Sequence, residues 1–274
     1  LAFADSKLPT RGAISVMVTA RARLSPSAHK LDRRTKGMLV NAMRNGGFVG
    51  GFGETLVVPA PAGMPRATVI LLGVGDTKEL SESKAQYLGA SLWRAANSAR
   101  ATEAAVAVDT LADAAIDGSV LAANIALGVR LRSYRFDRYR TMEAKNKKPS
   151  LKSLAVCVKD LTAARRTYRP MAKVANAVDF ARDLVSEPGN IIYPDSLAME
   201  CKKLGSMGVK VEILAAKAMM KLGMGALLGV GQGSAYEPRL VLMQWFGGPA
   251  RGKPLAFVGK GITFDTGGIS IKPA

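Results

Sequence analysis

The sequence has one histidine, His29, and two cysteines, Cys157 and Cys201, among 274 residues. A single histidine excludes a His-rich zinc centre, and a Ser–His–Asp mechanism would have to run through His29 alone. His29 lies in a polar stretch, residues 25–30, and reads as a surface residue. Two cysteines are too few for a disulfide framework, which points to a reducing cytoplasm. Both read as small buried hydrophobes, Cys157 in a strand and Cys201 in a helix. No apolar run approaches the length that crosses a bilayer, and the N-terminus lacks a basic segment followed by an apolar one. No membrane partner is therefore expected. Internal repeats and low-complexity tracts are absent as well.

Acidic residues are scarce: 21 against 39 Lys and Arg, for a net charge of +18. The imbalance concentrates in residues 130–169, where thirteen basic residues face only Asp137, Glu143 and Asp160. One reading is a surface for nucleic acid, with Tyr134, Phe136 and Tyr139 interleaved. The other is a solvated interdomain segment whose acidic counterparts lie elsewhere. The second is favoured, because clustered charge without a binding motif specifies little.

What the chain does contain is an alternation of strands and helices. Hydrophobic residues make up 48% and charged residues 22%, the balance of a globular protein. Residues 1–4, 13–19, 54–59, 68–74, 104–108 and 153–158 read as strands, and 68–74 (TVILLGV) is apolar throughout, as a strand buried on both faces should be. A helix capped by Ser81 carries Ala85, Leu88, Leu92 and Ala95 on one face. Ile116, Val120, Ala123, Leu127 and Leu131 repeat at helical spacing, and so do Met171, Val174, Val178, Ala181 and Val185. The latter helix stops before Pro188-Gly189-Asn190. Residues 145–150 read as a loop. Pro194 opens a further helix that ends near Gly205, followed by strands at 209–214, 239–245 and 255–258. The expected fold is α/β with a mainly parallel sheet: a first domain at 1–160, a linking helix at 161–187 and the start of a second α/β domain at 188–274.

Three glycine clusters invite nucleotide-binding readings, and each fails a physical test. After Gly73-Val74-Gly75, the position that must be small is Lys78. In GGPARGKP (247–254), Pro254 replaces the magnesium-binding hydroxyl and a strand, not a helix, is expected next. GVGQG (229–233) reads as a turn where backbones approach closely.

The chemistry-bearing segment is VGKGITFDTGGISIKP (258–273). A strand runs into a turn bearing Lys260, then Asp265, two glycines and Lys272. The end of a strand in an open α/β sheet is where sites are assembled. Asp265 could ligate a metal while the lysines face a developing oxyanion. Equally, the lysines could be solvated and Asp265 could cap a turn.

This run resembles the signature of the cytosolic leucine aminopeptidases, a two-metal peptidase family. LRSYRFDRYR (131–140), DLVSEPGNIIYP (183–194, with Ser186 where the family usually has Asn) and residues 223–240, with GVGQGSAYEPRL, resemble other stretches of its pattern, so that the resemblance spans the chain in order. It implies an N-terminal domain like a macro domain, followed by a catalytic domain. It further implies that Lys260 and Asp265 are metal ligands, Asp265 bridging two ions of zinc or manganese, and that Lys272 stabilises the tetrahedral oxyanion. The substrates would be peptides with a free N-terminus, the assembly a hexamer and the location the cytoplasm. A second Asp, an Asp–Glu pair and an Arg that holds bicarbonate are expected beyond Ala274. The chain, which starts at Leu1 and ends just after the signature, thus reads as clipped within its active site, and the fragment alone is expected to be inactive. DNA binding through 130–169, or ligand binding by a macro-like domain with ADP-ribose as the probe, are the alternatives.

Overall fold

The structure, a computed structural model, describes residues 1–248 and 252–263. The chain divides into two compact units, Leu1–Phe180 and Ala181–Ala274. The first contains β1 (Ala2–Ala4), β2 (Gly12–Thr19), β3 (Arg23–Leu24), α1 (Pro26–Arg34), α2 (Met38–Asn45), β4 (Thr55–Pro59), β5 (Ala67–Gly75), α3 (Glu82–Ser98), β6 (Glu103–Val108), α4 (Gly118–Ser133), β7 (Ser153–Val158) and most of α5 (Leu161–Ser186). Its sheet has the order β1-β7-β6-β2-β5-β4. The first five of these strands run parallel, β4 lies antiparallel at one edge, and the short β3 folds back on β2. The three-residue β1 forms the other edge.

The apolar runs explain this layering. Along β2, Ile14, Val16 and Val18 pack with α1 and α2, whereas Ala13 and Met17 pack with α3 and α4. Alternate residues thus serve opposite faces of a sheet covered on both sides. Ser81 caps α3 as expected, its hydroxyl accepting from Lys84 N at 3.3 Å, and Ala85, Leu88, Leu92 and Ala95 are all buried. α4 is buried on every side from Leu121 to Val129. Its one deeply buried amide, Asn124, accepts from Gln86 Nε2 at 2.9 Å and donates to the Val120 carbonyl at 3.1 Å, so no partner is lost. In α5 the buried residues are Ala164 and Ala175, with Tyr168 half-buried against Phe3. Val174, Val178 and Val185 are exposed. The inward face of this helix is therefore rotated from the valine repeat that makes it recognisable.

α4 begins at Gly118, beyond Ile116, and the reason is a cap at Asp117. The Asp117 carboxylate accepts from the Ser119 hydroxyl and from Ser119 N at 2.7 Å. These bonds, the hydroxyl's first, hold its pKa below the usual carboxylate value. Stability from such a group is complete above its unfolded pKa, near 4, and is lost as pH falls through the lower folded value. Asp117→Ala is expected to cost about 1 kcal/mol at neutral pH. The gap from the parent should narrow once pH drops below about 4. Urea titrations at both pH values check this, and a gap independent of pH would remove the carboxylate from the explanation.

The second unit contains α6 (Pro194–Lys202), β8 (Lys210–Leu214), α7 (Ala216–Lys221), α8 (Gly225–Val230) and β9 (Leu240–Gln244). β8 and β9 pair antiparallel, Lys210 opposite Gln244 and Leu214 opposite Leu240. Residues 255–258 correct the sequence reading: they form no strand, and Leu255, Phe257 and Val258 are 80–99% exposed. A strand is defined by the ladder it makes with a neighbour, and no described strand pairs with this run. Among the described residues of this unit only Ile192, Ala198 and Met219 are buried apolar side chains. No helix among the described residues is long and apolar enough to cross a membrane.

Candidate functional site

Lys260 lies in the second unit on an exposed segment without regular structure. Ile262 N donates to the Lys260 carbonyl at 3.1 Å, which tightens the backbone into a three-residue turn behind the side chain. A Cβ at the following Gly261 would stand 3.7 Å from Leu197 Cδ2, so the turn lies within van der Waals range of α6. Asp265 and Lys272, the other two site residues expected from the sequence, lie outside the described residues. Among the described residues no three His, Cys, Asp or Glu side chains come together to hold a metal ion. The donor types that Lys260 and Asp265 carry, an amine nitrogen and a carboxylate, are suited to zinc or manganese.

The segments around α6 were legible as motifs, although their contacts were not. Residues 183–194 and 229–240 meet at the start of α6. Tyr193 and Tyr236 stack with ring centroids 4.3 Å apart. Arg239 Nε donates to Asp195 at 3.0 Å, and its terminal nitrogen reaches Glu237 at 3.1 Å. The Ser196 hydroxyl accepts from Tyr193 N at 2.9 Å, fixing the first turn of the helix. These contacts pin the loop before β9 onto α6, the helix that Gly261 faces.

The remaining sequence features take structural roles. Cys157 lies in β7 and Cys201 in α6; both are free thiols, and burial pushes both pKa values up. Neither has the exposed, electropositive setting of a nucleophile. His29 is exposed on α1. Gly73 follows from close approach, since a Cβ there would overlap the Gly51 carbonyl. Gly231 in 229–233 abuts the Pro238 ring, while 247–254 lies partly outside the described residues. In the basic segment, Arg130 pairs with Asp179 at 2.8 Å, and Arg135 pairs with Glu143 and Asp137. The Arg135 bond holds the Glu143 carboxyl below its usual pKa. Arg132 lies over Trp93 and Arg138 over Phe136.

The fold and the site define an α/β protein of two units, with a lysine-bearing turn in the second. Comparison with known proteins narrows it. The cytosol aminopeptidase family, N-terminal domain, matches residues 16–143, and the catalytic domain of the same family matches residues 179–274. The chain belongs to the cytosol aminopeptidase family. Relatives named "Probable cytosol aminopeptidase" include one from Caulobacter vibrioides, 42% identical over 98% of this chain, and one from Nitrobacter winogradskyi, 39% identical over 99%. The chain spans 54% of the length of each. Among solved structures, a mutant of tomato leucine aminopeptidase superposes with a TM-score of 0.72 at 27% identity, covering 84% of this chain and 47% of that one. A bottromycin maturation enzyme, BotP, in complex with Mn shares the fold at a TM-score of 0.66 and 22% identity, over 85% of this chain and 44% of that one.

Proposed function

We propose that the chain contributes to a leucyl aminopeptidase that releases N-terminal residues from peptides by two-metal hydrolysis. The observation that carries this reading is the ordered match of both family domains, the catalytic one ending over the segment that contains Lys260, Asp265 and Lys272. In this reading residues 1–160 form the macro-like domain, 161–187 link, and 188–274 begin the catalytic domain. Lys260 would hold one metal through its amine nitrogen, and the Asp265 carboxylate would hold both. Lys272 directs its ammonium at the carbonyl oxygen of the scissile bond, where negative charge grows in the transition state. Two divalent ions, manganese or zinc, would supply Lewis acidity and an activated water. Requiring the free α-amine confines cleavage to the first residue. Hexameric assembly, bicarbonate as a base and a cytoplasmic location belong to the same proposal.

In the same proposal, further acidic ligands on a longer polypeptide complete the site. Hydrolysis of leucine-p-nitroanilide with manganese is therefore expected from a polypeptide that also carries them, and none from the 274 residues alone. Turnover by the latter would remove the missing-ligand argument; an inert longer polypeptide would remove the peptidase. Nothing favours DNA binding in the same way, since Arg130 and Arg135 are committed to carboxylates and Arg132 and Arg138 to aromatic rings.

A further inference from the structure

β2 and β6 are adjacent and parallel, Ala13 opposite Ala104 and Ser15 opposite Val106. After β2 and the short β3 the chain passes to α1 on one face of the sheet, and it leaves β6 through α4 on the other. Where outgoing connections diverge in this way, a crevice opens beyond the carboxyl ends of the strands, and open α/β sheets take ligands there. Helix N-termini at such a place favour phosphate and other anions.

We infer that this crevice is closed by the chain's own Asp109, which latches α1 to the end of β6 and leaves the first unit unable to take a nucleoside diphosphate. Asp109 follows β6 directly. One carboxylate oxygen accepts from the Ser25 hydroxyl at 2.5 Å and from Ser27 N at 2.9 Å, and the other accepts from the Ser27 hydroxyl at 2.6 Å. The donors that an anion would use at the head of α1 are thus already engaged. Asp117 does the same at the head of α4. Beside it remains a cavity of about 240 Å³, lined among others by Asp109, Thr110, Leu111, Ile116, Asp117 and Leu121, with no Lys or Arg in its wall. A diphosphate entering it would meet two carboxylates and no countercharge. The inference concerns the first unit alone and stands whether or not the peptidase reading does.

Calorimetric titration of the protein with ADP-ribose and with inorganic pyrophosphate is expected to give no saturable heat. Asp109→Ala is expected to lower Tm by about 6 °C and Ser27→Ala, which removes fewer of the three bonds, by about half as much. If Asp109→Ala does not fold, Ser27→Ala carries the test of the latch by itself. Saturable ADP-ribose binding by the parent protein overturns the inference, and so does an unchanged Tm in Ser27→Ala.

Discussion

Gly128→Ala is expected to destabilise the first unit by about 2–3 kcal/mol, read as a lower urea midpoint at unchanged slope. The sign is what makes this informative. On an exposed helix the same change would stabilise by roughly 1 kcal/mol, since alanine is the better helix former. Here α3 and α4 cross with their backbones in contact. A Cβ on Gly128 would overlap the Gln86 carbonyl, and a Cβ on Gly89 would overlap the Ile125 carbonyl. Neither obstacle is a side chain that can rotate away, so the helices must separate. Separation would loosen Leu88, Leu92, Leu121 and Ile125, all fully buried, and strain the Gln86–Asn124 bond. Gly89→Ala should behave alike, and because the two sites share one crossing their combined cost should be less than additive. A midpoint that rises or stays put in Gly128→Ala would show that the crossing is not backbone-limited.

In a polypeptide with manganese-dependent hydrolysis of leucine-p-nitroanilide, Asp265→Asn is expected to lower kcat/KM by about a thousandfold or more. The amide keeps the shape and loses the charge that would hold two cations together. Lys272→Ala should act differently, lowering kcat by about a hundredfold or more with little change in KM, because an oxyanion partner matters only once the oxyanion forms. Lys260→Ala should weaken metal binding, and excess manganese should restore part of its rate. If Asp265→Asn kept more than a tenth of the parent rate, the bridging role would be lost to another residue.

How much of this was legible in the sequence depends on how local each cause is. The β5 run and the Ser81 cap are local: one is a row of apolar residues and the other a hydroxyl three positions before the amide it meets. α1 and α2 gave weaker signals. α1 has nine residues and buries only Ala28 and Leu31, so it read as a polar stretch around His29. Residues 255–258 failed in the opposite direction, because their composition suits a strand while the required partner is not a property of the run itself. The Asp109–Ser27 and Tyr193–Tyr236 contacts join residues 82 and 43 positions apart, and no spacing rule reaches that far. Lys260, Asp265 and Lys272 were legible as a group only through the family signature. From spacing alone, a solvated turn fitted as well.

The borders of the seven-stranded sheet carry a consequence for how the protein behaves in concentrated solution. One border is only three residues long, and the other ends in Pro59, which has no amide hydrogen to offer. Neither presents the long row of free backbone groups on which a second molecule could add its own strand. Ribbon-like polymerisation through this half of the chain is thereby discouraged, and any clumping should begin at the uncovered greasy side chains around Trp245 and Phe257.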